Sequence, residues 1–379
     1  LQFDASSLPT GLYPFKAKVF SRYAQSSVGA SLEDQIAIVN RRASPIGAGW
    51  GIGGLQRIHV QDDGRVLLTD GDGSALVFVP AKVGIFRPVP SMHIRRGEGP
   101  PAVLLQDGRV LVAGGNIASG PTNTAELFDP VTATWAFTGN MGHPRTNGQT
   151  ATLLRDGRVL VAGGSNEFGA INPSADIYNP ATGLFTFNGA MAQSRQLHTA
   201  TLLGDGKVLL ASGTTVNGLS TPTAELYDPV ANVFRRTLTD MPRGHADYTA
   251  TTLPDGRVVL AGGQPFCQFP AENRVELYEP LTQQFSQLGF LTLPRVGHVA
   301  ALLPDGNILI AGGSQAFSAC FPTGLLDTAE IFTPVTGGSR LLTSRLCSKK
   351  FRPTISPLPD GRFLIAGGFM RDQSYDASF

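Results

Sequence analysis

The chain has 379 residues, of which 16% are charged, 45 are Gly and 27 are Pro; this suits an all-β protein with many turns and a large core. Its 30 basic and 29 acidic residues leave a formal net charge of +1, so no strong field draws it to nucleic acid or an anionic membrane. No apolar run is long enough to span a bilayer, and three cysteines are too few for a disulfide-built scaffold and lack metal-ligand spacing.

Residues 1–60 read as a short N-terminal β segment. Phe15–Tyr23 alternates apolar and polar side chains, a strand signal, and Gln35–Asn40 is a second candidate strand. The opening lacks an initiator Met and starts inside a strand-like stretch, as expected of a processed or excised piece of something longer. Ser44-Pro-Ile-Gly-Ala-Gly-Trp-Gly-Ile-Gly-Gly54 leads to Leu68-Thr-Asp-Gly-Asp-Gly-Ser74 and the aromatic strand Ala75-Leu-Val-Phe78. This arrangement resembles the N-terminal module of bacterial Rhs/YD-repeat surface and toxin-delivery proteins, over roughly the first fifth of the chain. The resemblance implies a bacterial, exported, cell-surface setting. No YD repeats follow, so no shell or toxin role comes with it.

From residue 61 a repeat takes over. Asp-Gly turns fall at Asp63, Asp107, Asp156, Asp205, Asp255, Asp305 and Asp360, spaced by 44, 49, 49, 50, 50 and 55 residues. Each period holds four strand-like pieces; in one they are Gln149–Leu154, Arg158–Ala162, Ala175–Tyr178 and Leu184–Asn188, with an Asn179-Pro turn between the last two. Gly supplies the positive φ of the first turn, and the double Gly at 163–164 allows close backbone approach where the second strand ends. Four strands per period, repeated around a circle, make a β-propeller. The period resembles that of bacterial kelch-type propellers over about three-quarters of the chain. Five complete units run from about 100 to 342, and Phe351–Gly368 supplies the first two strands of another. Residues 75–92 match the third and fourth strands. The expectation is therefore an N-terminal β segment over 1–60 and a propeller over 61–379. It has six four-stranded blades, closed by pairing of N- and C-terminal strands, with seven blades the alternative if the chain extends past Phe379.

Within each unit the third strand carries an acid before its aromatic: Glu126, Asp176, Glu225, Glu276 and Glu330. The loop after each fourth strand carries Arg145, Arg195, Arg243, Arg295 and Arg345, so a repeated inter-strand ion pair is expected. Histidines share that loop: His143, His198, His245 and His298. Because strands alternate in direction, this loop and the one after the double Gly emerge on one face, the face with the longest loops. Arg195, His198, His245, Arg295 and His298 are the ligand-face candidates. Cys267 and Cys320 occupy corresponding loops of neighbouring units, a candidate disulfide in an exported protein. Asp70-Gly-Asp-Gly73 reads as a β-turn without the further acids of a Ca²⁺ loop, and Trp50 and Trp135 as core aromatics.

No linear catalytic signature is present. Copper radical oxidases of the galactose oxidase kind need a Tyr–Cys cross-link, a second Tyr and two His, and sialidase-type propellers carry Ser-x-Asp-x-Gly-x-Thr-Trp boxes; neither set stands here. Ser-His-Asp and P-loop signatures are also missing. No catalytic residue, metal site or cofactor is expected. The leading expectation is an exported, non-enzymatic binding or structural module presenting its loop face to a glycan or protein. A carbohydrate-directed enzyme with a site built from face loops is one alternative. The other is a self-assembling surface-layer or fibre subunit that associates through its N-terminal strands.

Overall fold

The second strand of each unit explains the architecture. Val110–Ala113, Val159–Ala162, Val208–Ala211 and Val258–Ala261 are buried at every position. A strand with no polar side must be covered on both faces, by a neighbouring sheet on each. The computed structural model describes residues 11–23, 26–38, 55–60, 66–70, 75–79, 85–97, 100–166, 169–265, 269–318, 321–358 and 362–368, all of whose regular elements are strands.

Among the described residues there are six antiparallel four-stranded sheets. The first contains Leu55–Val60, Val66–Asp70, Ala75–Val79 and Ile85–Val89. The second contains Ala102–Leu104, Val110–Ala113, Ala125–Asp129 and Thr134–Phe137. The third runs Thr150–Leu153, Val159–Ala162, Ser174–Asn179 and Leu184–Ala190. The fourth runs Thr199–Leu202, Val208–Ala211, Ala224–Asp228 and Val233–Arg236. The fifth holds Thr249–Thr252, Val258–Ala261, Arg274–Glu279 and Gln284–Phe290. The sixth holds Val299–Leu302, Ile308–Ala311, Thr328–Thr333 and Gly338–Arg345. A seventh sheet has two strands among the described residues, Thr354–Pro357 and Phe363–Ala366.

The first strands of successive sheets lie side by side, and Thr354–Pro357 lies against both Val299–Leu302 and Leu55–Val60, which closes the circle. The fold is an all-β propeller with these strands innermost. Six of the sheets are four-stranded, but among the described residues the ring has seven members where six blades were expected, and closure differs from expectation as well. Residues 75–89 do not complete the sheet begun by Thr354–Ala366. They pair with Val66–Asp70 instead, in register Thr69↔Ala75 and Val79↔Ile85. The partner strands 55–60 and 66–70 lie just upstream, so the local hairpin forms in place of a pairing with the far end of the chain. The first sheet thus begins at Leu55, on the N-terminal side of the division drawn at residue 60. Ahead of it, Gly11–Tyr23 pairs with Ser26–Ile38 as a separate hairpin, longer than either expected strand.

Between sheets the cores repeat. Leu111, Ala113 and Leu127 meet Val159, Val161 and Tyr178, and Leu160, Ala162 and Ile177 meet Val208, Leu210 and Tyr227. The third-strand aromatics Phe128, Tyr178, Tyr227, Tyr278 and Phe332 are all fully buried. Several stack on the aromatic opposite them in the fourth strand, such as Tyr178 on Phe185 at 4.7 Å between centroids. Trp135 is 6% exposed and lies in the core, as expected. Trp50 and the turn at 71–74 lie outside the described residues.

Candidate functional site

The loop joining one sheet to the next ends in a fixed pattern, and every ligand-face candidate falls within it. Arg145, Arg195 and Arg295 are wholly buried and insert between sheets. Arg195 donates to Glu225 Oε1 at 2.9 Å, to Thr223 Oγ1 at 2.9 Å, and to the carbonyls of Ser212 at 3.0 Å and Thr223 at 2.7 Å. Arg145 repeats this on Asp176 (2.7 Å) and Ser174, and Arg295 on Glu330 (2.5 Å) and Thr328. Arg96, which the sequence reading passed over, does the same with Glu126 at 3.1 Å and Thr124. Burial holds each guanidinium below its ordinary value, and the carboxylate opposes that effect. The carboxylates also accept backbone N–H groups, from Ala192 to Glu225 at 2.7 Å and from Thr292 to Glu330 at 2.7 Å. The expected ion pair is real, and it joins the Arg of one loop to the third strand of the next sheet.

The pattern fails in two places. At the fifth sheet, His245 stands where the other joints have Arg, and Arg274 stands where they have Thr or Ser. His245 Nε2 reaches Glu276 Oε1 at 3.4 Å, and its Nδ1 lies 3.9 Å from Glu272 Oε2. Arg243 turns outward to Glu272 at 3.0 Å. Pro242, lacking an N–H, occupies the place from which Ala192 and Thr292 donate. Glu276 Oε2 is consequently buried with no partner among the described residues. At the seventh sheet Lys350 takes the buried position and donates to Gly367 O at 3.3 Å. Arg345, expected there, pairs with Asp327 on the surface.

The residue just before each first strand forms a second belt. His198 Nε2 lies 3.0 Å from Thr150 Oγ1, Tyr248 OH 2.8 Å from Thr199 Oγ1, and His298 Nε2 3.0 Å from Thr249 Oγ1. Each bond ties one sheet to its predecessor. Burial, reinforced by the adjacent Arg195 and Arg295, pushes His198 and His298 down to about 3, so both are neutral in the folded chain. His198 and His298 are each 5% exposed and His245 is 2% exposed. Arg195, His198, His245, Arg295 and His298 are therefore packed between sheets and not displayed on the loop face. Blade-to-blade stacking buries everything directly flanking a first strand, which overrides the rule that loop residues face solvent.

What the loop face does display lies further out. Val216 and Leu219, in the loop after the fourth sheet's second strand, are 67% and 54% exposed, and Phe269 in the corresponding loop of the fifth is 51% exposed. Cys347 is exposed and unbonded. Cys267 and Cys320, the candidate disulfide, lie outside the described residues. On the opposite face a cleft of about 280 Å³ runs between the third and fourth sheets, lined by Arg155, Asp156, Asp205, Lys207 and Asp228. Its charges are matched locally: Asp156 with Arg158 at 2.7 Å and Asp205 with Lys207 at 2.6 Å. Among the described residues no group of three His, Cys, Asp or Glu side chains is placed to hold a metal ion.

A family model described as the Kelch motif matches residues 99–142. No curated protein matches the sequence. Among solved structures, that of YjhT superposes with a TM-score of 0.61 at 16% identity, covering 79% of this chain and all of that one. A fungal alcohol oxidase of the AA5 family, in complex with copper, superposes with a TM-score of 0.67 at 18% identity, covering 83% of this chain and 70% of that one. At such identities the likeness concerns fold and not chemistry. Together with the closed ring of antiparallel sheets, these similarities identify the fold of the chain as that of a kelch-type β-propeller.

Proposed function

We propose that the protein is an exported binding module that presents its loop face to a protein or glycan ligand, with the contact centred on the loops over the fourth and fifth sheets. The observation that carries this reading is the group Val216, Leu219 and Phe269, each more than half exposed on adjacent loops of one face. Exposed apolar side chains on a rigid scaffold are the usual anchors of an interface. Arg195, His198, His245, Arg295 and His298 are buried and engaged between sheets, away from the loop face. The test is binding of the chain to arrayed polysaccharides and immobilised surface proteins, repeated with Val216→Ser, Leu219→Ser and Phe269→Ser combined. Loss of binding at an unchanged melting temperature supports the placement; full binding by the variant refutes it.

The enzyme reading stands second, because a fungal alcohol oxidase shares this fold. Its test is an oxidase and glycosidase screen with and without added copper. Self-assembly rests on the hairpin Gly11–Tyr23 and Ser26–Ile38, whose strands pair with each other in a two-stranded sheet. Among the described residues neither strand has a second partner, and such edges are a template for strand addition. Light scattering of the chain with and without residues 1–54 tests it, and a monomer in both forms refutes it.

A further inference from the structure

Two or three residues before five of the innermost strands, the chain bends through a left-handed residue at the mouth of the central channel. These are Asn147 (φ 55°), Leu197 (55°), Asp247 (54°), Gly297 (62°) and Arg352 (50°). Asp247 and Arg352 are the charged members of this set, and they meet. Arg352 Nε donates to Asp247 Oδ1 at 3.0 Å, and a second bond joins Nη2 to Oδ2. The two residues lie 105 positions apart and lead into the fifth and seventh sheets, so the pair crosses over the sixth.

Everything beneath the pair fits that crossing. Gly297 N donates to Asp247 O at 2.8 Å, and Arg352 N donates to Gly297 O at 2.7 Å, a continuous backbone link beneath the ion pair. A Cβ on Gly297 would overlap the Phe351 ring. That ring carries the Arg352 guanidinium 5.3 Å above its centroid and is itself packed on Ala271, Val296 and Leu325. A bidentate Arg–carboxylate fork with a stacked guanidinium is the most directional ion pair available to side chains. A non-glycine residue with bulk, such as Arg352, does not adopt φ near 50° without compensation.

The seventh sheet has need of such a tie. It has two strands among the described residues, and its joint holds Lys350 on a carbonyl in place of the Arg–carboxylate pair found at four other joints. Among the described joints, that of the fifth sheet also lacks the pair. We propose that Asp247 and Arg352 form a clasp across the channel mouth that locks the seventh sheet into the ring by fastening it to the loop of the fifth.

Amide hydrogen exchange on the whole chain tests the clasp. Asp247→Asn and Arg352→Gln are each expected to speed exchange in Thr354–Pro357 and Phe363–Ala366 about tenfold, with Val208–Ala211 in the fourth sheet unchanged as internal control. The exchanged pair Asp247→Arg with Arg352→Asp is expected to restore most of the protection, because both positions already hold the required φ. Arg352→Lys keeps the charge without the fork and is expected to fall between wild type and Arg352→Gln. Unchanged exchange in both single variants would overturn the clasp. So would an exchanged pair as fast as the singles, or a uniform rise that includes Val208–Ala211.

Discussion

At the scale of single residues, the buried ion pairs dominate. Glu225 is 1% exposed, so Arg195→Met leaves an uncompensated charge in the interior and is expected to cost about 3–5 kcal/mol. Adding Glu225→Leu should recover only part of this, since the carbonyls of Ser212 and Thr223 remain without their donor. Urea unfolding of the wild type and both variants measures both steps. His198 and His298 predict the response to acid. The unfolded chain protonates them near the ordinary value of 6.5, while the folded chain resists until about 3. Their contribution is therefore present above about 6.5 and is lost as the pH falls toward 3, by about 1.4 kcal/mol per pH unit for each. His198→Gln with His298→Gln should flatten that acid limb in urea titrations at several pH values. Gln149, which holds the corresponding place before the third sheet, shows that Gln fits, donating to Ala113 O at 2.8 Å.

At the scale of elements, the types of residue were legible in the sequence and their partners were not. The acids and arginines of each period announced an ion pair, but pairing runs across the loop into the following sheet. Arg345 was chosen because it stands in the usual loop. Lys350 follows the acid Glu330 by 20 residues, as His245 follows Glu225, whereas Arg345 follows Glu330 by 15 and so falls short of the buried position. The sequence carries a finer signal: the hydroxyl two residues before the acid, in Thr124, Ser174, Thr223 and Thr328, is replaced by Arg274 in the period whose Arg becomes His245. Restoring that joint with Pro242→Ala, His245→Arg and Arg274→Thr is expected to stabilise by about 1–2 kcal/mol, read as a higher urea midpoint at unchanged slope. Glycines separate in the same manner. Gly163→Ala would place Cβ 2.5 Å from Arg195 O, whereas Gly189→Ala meets nothing within 4 Å, though both have positive φ. Both lose about 1 kcal/mol to the backbone conformation, and Gly163→Ala should lose at least about 2 kcal/mol more by displacing a joint. Ser212 avoids that collision at φ 51° because its hydroxyl accepts the N–H of His245 at 2.6 Å.

At the scale of the whole molecule, stability is a chain of neighbour contacts with its ends joined. The seventh sheet covers Val299, Ala311 and Ala329 of the sixth with Ile355 and Ile365, and it touches the first sheet's innermost strand. Removing residues 350–379 should uncover both surfaces. The expected outcome is self-association at micromolar concentration by light scattering, with a lower and broader thermal transition. A monodisperse truncated chain with an unchanged transition would show that closure contributes little.

The sequence by itself determined the repeated unit. Hydrophobic alternation, Asp-Gly turns and a period near 50 residues are local facts, and they specify four strands, their order and the five complete sheets between about 100 and 342. Only the tertiary structure decided how the ring closes and which side chains are spent in closing it. Pairing of strands 66–70 with 75–79, burial of Arg195 and His298, and the meeting of Asp247 with Arg352 all depend on contacts that periodicity does not encode. A repeat states that every unit needs a neighbour. Which neighbour meets which side chain follows from the geometry of the closed circle.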